Sequence, residues 1–426
     1  MTLKDVSLDD KYTLADGRIF ITGTQALVRL PIMQHLRDQA LGLNTACYIS
    51  GYRGSPLGGY DQQLWAAENH LQAQNNVSNP VVNRDLAATE IWGTQQLGFH
   101  GEPKYDGVFS IWYGKGPGVD RTGDVFRHGN LAGTHPRGGV LVLMGDDHTC
   151  ESSTTAHQSE FAMVDAMIPI LNPAGVQELL DYGLIGWALS RYSGCWVGLK
   201  CMKDTIDASA SVEVGAERVK IALPADFAMP AGGVNIRWPD HPLDQEERLN
   251  KVKIDAVRAF ARANRLDKVV LDAPDAKLGI VTCGKSYMDV RQALQYLGVD
   301  EQEAARLGIR LYKVAMTWPL EPQGLTEFAQ GLDKILVVEE KRGLIETQVK
   351  EILYGRGRAP EVVGKRDELG KVLLRSNAAL DPNEIAVAIG RRVLEYRPDR
   401  ELEERVAAQE QLRARVPDKP AMDRTP

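Results

Sequence analysis

Short, almost wholly apolar runs alternate with helical patterns along most of the chain, and this alternation constrains the fold most strongly. A strand that is apolar on both sides must be covered on both faces, which is typical of parallel sheets flanked by helices. The sequence therefore predicts an α/β protein with two parallel-sheet domains. The runs are residues 46–50, 108–113, 139–144, 167–171 and 195–199 in the first part and 278–282, 309–313 and 335–339 in the second.

Two helical patterns carry specific expectations. The first opens at Gly23 and continues to Ala40, and Pro31 within it is expected to kink the helix or mark its true start. The second, at about Asp244–Asn264, is strongly periodic and lies in a more charged segment between the two predicted domains. We interpret that segment as a connection rather than as a separate core.

Charge and hydropathy exclude some classes of binding partner. The 426 residues carry 50 basic and 57 acidic side chains, a net charge of -7, and the basic residues are scattered. This distribution argues against nucleic acid and against an anionic membrane surface as partners. No apolar run approaches the ~18 residues of a membrane span, and the start of the sequence has charges where a signal peptide is apolar. We expect a cytoplasmic protein.

The five cysteines and eight histidines show no metal-binding spacing. No Cys-x-x-Cys pair and no His-Glu-x-x-His pattern occurs. An iron–sulfur cluster or zinc site built from this chain alone is therefore not expected. An odd number of irregularly spaced cysteines is typical of reduced thiols.

Three loops rich in glycine and hydroxyl side chains follow predicted strands. We call Gly51–Asp61 the first loop, Gly114–Asp124 the second and Gly145–Glu160 the third. Ligands of parallel sheets bind beyond the carboxyl ends of the strands, so we expect a common pocket for a polar or anionic organic ligand. Each loop taken singly can equally be a surface connection. The phosphate-loop, dinucleotide and nucleophile-elbow motifs are all absent.

The segment Val81–Leu97 carries one acidic residue at its centre, Glu90. Its start predicts a helix capped at Asn83 or Asp85, since both residue types suit a helix N-terminus. The helical neighbours of Glu90 are small or apolar, so a carboxylate buried there could hold or share a proton near neutral pH. The alternative is that Glu90 points to water, as most glutamates do.

Several motifs occur in the order typical of one enzyme family. Gly54-Ser55-Pro56 following Tyr52 resembles the Tyr-x-Gly-Thr-Pro turn of the 2-oxoacid:ferredoxin oxidoreductases, particularly the α chain of indolepyruvate ferredoxin oxidoreductase. Glu90 lies downstream of this turn, where the family keeps an acidic residue. Lys115 with Gly118 is similar to the family's Lys-x-x-Gly loop.

The resemblance continues through the third loop and the second predicted domain. Gly145-Asp146-Asp147 and Ser152-Ser153 resemble the family's Asp-Asp…Ser-Ser segment. Residues 280–287 and 337–350 resemble the transketolase-C-type domain of the same chain. The similarity extends over residues 17–394, nearly the whole sequence.

This resemblance implies a thiamine diphosphate enzyme with a defined domain order. Residues 1–215 would form a pyrimidine-binding-type domain, 216–275 a connecting segment and 276–395 a transketolase C-terminal-like domain. Residues 396–426 would be a charged helical tail ending in coil and leading to downstream domains.

The resemblance also implies roles for individual residues. Glu90 would be catalytic. Its carboxylic acid would lie against the aminopyrimidine ring and so favour the tautomer that activates the thiazolium carbon. Ser55, which replaces the family's threonine, would keep a hydroxyl near the cofactor or substrate. The implied cofactor-binding residues are Tyr52, Gly54, Ser55 and Pro56, the implied substrate-binding residues are Lys115, Asp146, Asp147 and Ser152, and no metal ligand is implied.

Departures from the family pattern define the expected partners. No Gly-Asp-Gly motif for the cofactor's diphosphate and Mg²⁺ occurs, and the cysteine sets of the [4Fe–4S] clusters are missing. We therefore expect downstream domains or subunits to supply both, and this chain to be inactive alone. The expected function is oxidative decarboxylation of an aryl 2-oxoacid, such as indolepyruvate, to an acyl-coenzyme A, with electrons passed to ferredoxin. A homodimer is expected.

Two alternatives remain open at the level of sequence. One is half of a non-oxidative thiamine enzyme, a decarboxylase or a transketolase-like protein. The other is a non-catalytic scaffold chain with the same fold.

Overall fold

The structure, a computed structural model, describes residues 6–153 and 155–415, and these form two units. The first unit comprises the chain up to Leu266 together with Ala315–Glu321, and the second comprises Asp267–Val314 and the chain from Pro322 onward. The strands are β1 Gly17–Thr22, β2 Thr45–Gly51, β3 Asn76–Ser78, β4 Gly107–Lys115, β5 Val140–Asp146, β6 Ile170–Leu171, β7 Val197–Met202, β8 Ser209–Val214, β9 Lys268–Leu271, β10 Leu278–Cys283, β11 Ile309–Val314, β12 Met316–Trp318, β13 Lys334–Val338 and β14 Glu361–Val363.

The helices lie between these strands in chain order. They are α1 Asp10–Thr13, α2 Gly23–Ala40, α3 Tyr60–Ala66, α4 Glu68–Gln72, α5 Arg84–Thr94, α6 Gly116–Arg121, α7 Gly123–Ala132, α8 Glu160–Asp165, α9 Val176–Ser193, α10 Lys203–Ile206, α11 Pro242–Arg248, a π-helical turn Leu249–Lys253, α12 Ile254–Ala263, α13 Gly284–Tyr296, α14 Glu301–Leu307, α15 Pro322–Phe328, α16 Ile345–Leu353, α17 Pro382–Tyr396 and α18 Arg400–Arg415. No helix of the described residues is both long enough and apolar enough to cross a membrane.

The first unit is built on a seven-stranded sheet with the order β12-β6-β7-β5-β4-β2-β3. All neighbouring strands are parallel except β12, which pairs with β6 in the antiparallel sense. Strands β1 and β8 form a separate antiparallel pair. These pairings confirm the predicted parallel sheet. Its central strands are buried along almost their whole length, which is why their sequences contain few polar side chains.

Helices cover both faces of this sheet. On one face Leu30 of α2 lies so close to Gly183 of α9 that a Cβ at Gly183 would come within 2.3 Å of it, and Phe109 of β4 packs edge-on against Trp187 of α9. On the other face Trp112 of β4 packs edge-on against Phe126 of α7. Each face of the sheet is thus buried by large apolar side chains, which is the main source of its stability.

The structure adds detail to three local expectations. Helix α2 begins at Gly23 with a Thr22 capping box, so Pro31 lies in its interior, and of the two expectations for Pro31 the one that it marks the start of the helix is excluded. The apolar run 167–171 yields only the two-residue strand β6, because Met167 adopts a positive φ of 55° in the turn before it. The periodic segment after residue 242 contains the π-helical turn and contributes Leu249 and Phe260 to the core of the first unit.

The second unit contains a five-stranded sheet with the order β14-β13-β10-β11-β9. Its neighbours are parallel except for β9, which pairs with β11 in the antiparallel sense. Helix α18, the predicted charged tail helix, packs on α17: Val406 occupies the space beside Gly390, where a Cβ would lie 2.2 Å from it. The coil predicted after this helix lies outside the described residues.

Candidate functional site

The order of strands in the first unit reverses between β2 and β4. The chain leaves β2 toward β3 on one side, and it leaves β4 toward β5 on the other. Connections that diverge in this way open a crevice at the carboxyl ends of the strands, which is where open α/β sheets bind ligands. The first loop follows β2 and the second follows β4, so both border the crevice.

The three loops contact one another at this edge of the sheet. A Cβ at Gly54 would come within 2.8 Å of the Lys115 side chain, which joins the first loop to the second. A Cβ at Gly145 would come within 3.0 Å of Pro56, and the hydroxyls of Ser55 and Ser152 are hydrogen-bonded, which joins the first loop to the third. The structure thus brings together Ser55, Pro56, Lys115 and Ser152.

The two aspartates at the start of the third loop have their carboxylates engaged within that loop. Asp147 accepts hydrogen bonds from the backbone N–H groups of Ser152 (2.8 Å) and Ser153 (3.1 Å), and although burial raises the pKa of Asp147, these bonds outweigh it and lower the pKa. Asp146, which is fully buried, accepts from the Ser159 N–H at 2.9 Å and from its hydroxyl at 2.6 Å. Both aspartates therefore shape the loop.

A buried polar network beneath the third loop was not anticipated from the sequence. Lys200 of β7 is buried and forms ion pairs with Asp146 (3.7 Å) and with Glu160. The His148 Nε2 lies 3.3 Å from the same Lys200 Nζ. A lysine in the middle of an otherwise apolar strand is the one sequence signal for this network, because a buried ammonium group requires acidic partners.

His157 connects the third loop to helix α6. Its Nε2 lies 2.7 Å from Asp120 and its Nδ1 lies 3.5 Å from Asp146. Its ring also fills the space beside Gly116, where a Cβ would come within 2.2 Å. Burial alone would lower the pKa of His157, but the hydrogen bonds and charges of the two aspartates outweigh it and raise the pKa to about 8.

Glu90 lies on α5 against the sheet. Asn83 caps this helix by accepting from the Leu86 N–H at 2.9 Å, as one of the two predicted caps requires. The Glu90 carboxylate accepts from the hydroxyls of Tyr48 (2.8 Å) and Ser50 (3.1 Å) on β2, so it does not simply point to water. Among the described residues its hydrogen bonds go to β2 and none goes to the three loops.

Arg84, in the first turn of α5, is the side chain that reaches between the first and second loops. Its guanidinium lies over the ring of Tyr52, 4.5 Å from the centroid, and donates to the Arg53 carbonyl at 3.4 Å. Its stem lies beside Gly118, where a Cβ would come within 2.3 Å. Nothing in the sequence singles out Arg84, because a basic residue after a helix cap usually points to solvent.

In the second unit, the motif at residues 337–350 contains a glutamate that caps the N-terminus of a helix. The buried carboxylate of Glu339 accepts from the N–H groups of Leu344, Ile345 and Glu346, each at 2.9 Å. Burial raises the pKa of Glu339 to about 7, and these N–H bonds oppose that rise. This arrangement caps α16 and accounts for the glutamate as a structural residue.

The first unit contains side chains of the types that could contact the organic part of thiamine diphosphate. They are the half-buried carboxylate of Glu90, held by Tyr48 and Ser50, and the hydroxyls of Ser55 and Ser152, which are hydrogen-bonded to each other. For the diphosphate end, residues 6–153 and 155–415 contain no group of three or more His, Cys, Asp or Glu side chains that could hold a metal ion.

Known proteins resemble both parts of the chain. Residues 268–415 match the family model described as the indolepyruvate oxidoreductase domain. The chain is 25% identical over 369 residues to indolepyruvate oxidoreductase subunit IorA of Methanothermobacter marburgensis, covering 85% of this chain and 53% of that protein. It is 27% identical over 369 residues to the IorA subunit of Pyrococcus abyssi, covering 85% of this chain and 51% of that protein. The chain thus spans about half the length of the curated relatives it matches.

A solved structure shares the fold. The 2-oxoglutarate:ferredoxin oxidoreductase of Magnetococcus marinus, solved with 2-oxoglutarate, coenzyme A and succinyl-CoA bound, matches with a TM-score of 0.61 at 14% identity, over 88% of this chain and 65% of that chain. Together these comparisons confirm that the chain resembles the 2-oxoacid:ferredoxin oxidoreductases of the indolepyruvate type and shares the α/β fold of that solved structure.

Proposed function

We propose that this chain is the α-chain-like part of an indolepyruvate-type 2-oxoacid:ferredoxin oxidoreductase. The reaction is oxidative decarboxylation of an aryl 2-oxoacid to an acyl-coenzyme A, with ferredoxin as electron acceptor. The observation that carries the proposal is the similarity to IorA subunits over 85% of the chain. The crevice at the carboxyl ends of the strands, beside three mutually contacting loops, supports the proposal.

The residues of this chain would bind and orient the cofactor and the substrate, and one of them would hold a proton. Thiamine diphosphate, when bound, supplies the carbon nucleophile and the electron sink of a decarboxylation. Glu90 is the proposed proton-holding residue, and the hydroxyls of Tyr48 and Ser50 fix the position of its carboxyl group. Ser55 and Ser152 would present hydroxyls to the ligand. Proposed cofactor contacts at Tyr52, Gly54 and Pro56 complete the first loop.

Substrate recognition is proposed for the second and third loops. Lys115 would contact the substrate carboxylate, because a desolvated anion needs a cation. Asp146 and Asp147 would act by holding the third loop in shape, since their carboxylates are engaged with Ser159 and with the loop's N–H groups. Their contribution would thus be to position Ser152 rather than to touch the substrate.

The proposed partners are supported by the length of the relatives. The chain spans 53% of the IorA subunit of M. marburgensis. We propose that downstream domains or subunits hold the diphosphate with Mg²⁺ and the [4Fe–4S] clusters, that the assembly contains two copies of this chain, and that it is cytoplasmic. The five cysteines, all free thiols, are compatible with a reducing compartment.

The test uses the native complex isolated through a tag on this chain. We expect viologen reduction that requires both an aryl 2-oxoacid and coenzyme A. Glu90→Gln should lower kcat by about 100-fold or more. Glu68→Gln, a matched change at an exposed glutamate on α4, should leave kcat unaltered.

Each alternative predicts a different result. Free aldehyde in place of acyl-coenzyme A would identify a non-oxidative thiamine enzyme. An unaltered rate in Glu90→Gln would remove Glu90 from the chemistry, and a complex with no activity toward any 2-oxoacid would support the scaffold reading. Viologen reduction by the 426-residue chain alone would contradict the proposed need for partners.

A further inference from the structure

The three arginines around the crevice differ in their partners. Arg53 in the first loop pairs with Asp61 at 2.9 Å, and Arg121 at the end of α6 pairs with Asp85 at 3.3 Å. Arg84 forms no ion pair with any carboxylate of the described residues. A guanidinium carries five N–H donors and stays charged in proteins, so an arginine without an acidic partner has unused binding capacity.

The fold holds Arg84 in one place without an ion pair to any carboxylate of the described residues. The Tyr52 ring supports one face of the guanidinium, and the stem of Arg84 passes over Gly118, where no side chain could fit. Its single hydrogen bond, to the Arg53 carbonyl at 3.4 Å, is long, and its Nε is buried without an acceptor in the described part of the chain. Burial lowers the pKa of Arg84, and the neighbouring charge of Arg121 acts in the same direction, whereas Tyr52 and Asp85 act in the opposite direction.

A second cationic stem lies on the same side of the crevice. Lys115 is the last residue of β4, and its side chain passes so close to Gly54 that a Cβ at Gly54 would lie 2.8 Å from it. Gly54 and Gly118 therefore make room for cationic side chains of the neighbouring loop or helix. The side chains of Lys115 and Arg84 thus both reach the place where the first and second loops diverge.

We propose that Arg84 contacts the ligand in this crevice and holds its anionic group, a carboxylate or a phosphate. The planar guanidinium, already oriented on Tyr52, matches the two oxygens of either group. The inference rests on the crevice being the ligand site of the proposed function, and it adds the residue that recognises the ligand's charge. Binding of an anion requires neither turnover nor partner chains.

The test is calorimetric titration of the 426-residue chain with three probes at low salt. Phenylpyruvate carries a carboxylate, pyrophosphate carries phosphate groups, and phenylacetone is a neutral counterpart of the first. We expect the chain to bind one anion and not the neutral ketone, and the anion that binds identifies the group. Arg84→Gln should weaken binding by about 10-fold or more, and Arg84→Lys should retain part of it.

Arg121→Gln is the matched control, because it removes a nearby positive charge that already has an acidic partner. We expect its effect on the dissociation constant to stay within about 3-fold. Equal effects of Arg84→Gln and Arg121→Gln would overturn the proposal, as would unchanged binding in Arg84→Gln or the absence of binding of either anion. Thermal unfolding of each variant confirms folding, and Arg84→Lys carries the test if Arg84→Gln does not fold. Anion binding without turnover in the complex would contradict only the proposed function.

Discussion

Protonation of His157 should control how firmly the third loop is attached to α6. His157 reaches Asp120 with one ring nitrogen (2.7 Å) and Asp146 with the other (3.5 Å), and together they raise its pKa to about 8 against the opposing effect of burial. A rise from 6.5 to about 8 corresponds to roughly 2 kcal/mol of stabilisation. Because Asp120 is 58% exposed and screened by solvent, we expect a measured value of about 1–2 kcal/mol.

The sign of the effect follows from the direction of the shift. A histidine whose folded pKa is raised stabilises the folded state fully below its unfolded pKa, and the stabilisation is lost as pH rises through the folded value. The third loop should therefore be most protected below pH 6.5 and should loosen as pH passes about 8. Asp146, Lys200, His148 and Glu160 also face this region, so the contribution of His157 must be isolated by substitution.

Hydrogen exchange measured by mass spectrometry on peptides covering residues 145–160 provides the assay. After correction for the intrinsic rate, protection in the wild type should fall about 5- to 30-fold between pH 6 and pH 9 relative to His157→Gln. His128→Gln, at an exposed histidine of α7 that lies 3.7 Å from Asp124, is the control and should keep the wild-type profile. A wild-type advantage over His157→Gln that is constant with pH, or larger at pH 9, would refute the reasoning.

Two further substitutions test the packing around the crevice and the core of the first unit. Gly118→Ala should destabilise the chain by about 1–3 kcal/mol in urea unfolding, since its Cβ would lie 2.3 Å from Arg84, whereas Gly123→Ala in the next helix, with nothing within 4 Å, should be neutral or stabilising. Asp38→Asn should cost about 3 kcal/mol, because Arg191 donates to both oxygens of this buried carboxylate (2.7 and 2.8 Å); a loss below about 1 kcal/mol would contradict that account.

Features set by short-range pattern could be predicted from the sequence. Buried parallel strands must be apolar on both sides, so the runs at 46–50, 108–113 and 139–144 coincide closely with β2, β4 and β5. The cap at Asn83 was among the two predicted because its chemistry is local. The order of the motifs was sufficient to indicate the family, and comparison with the IorA subunits confirms that resemblance.

Features set by contacts distant in sequence could not be predicted. His157 and Asp120 are 37 residues apart, and Lys200 and Glu160 are 40 apart, so nothing in their local sequence identifies them as partners. The turn conformation of Met167, which shortens β6, is imposed on a residue type that rarely adopts it. Tertiary packing overrides local preference in each of these cases.

The glycines of the first two loops predict a ligand site, but the reason given for them is incomplete. Glycine-rich loops after parallel strands suggest that a ligand approaches the backbone closely. At Gly54 and Gly118, however, the space left by the missing Cβ is taken by Lys115 and by Arg84. The loops are therefore glycine-rich in part because they must admit long cationic side chains from neighbouring segments. These glycines still indicate the ligand site, because they leave room for the charged side chains that would bind the ligand. Recognition in this crevice should therefore depend on Arg84.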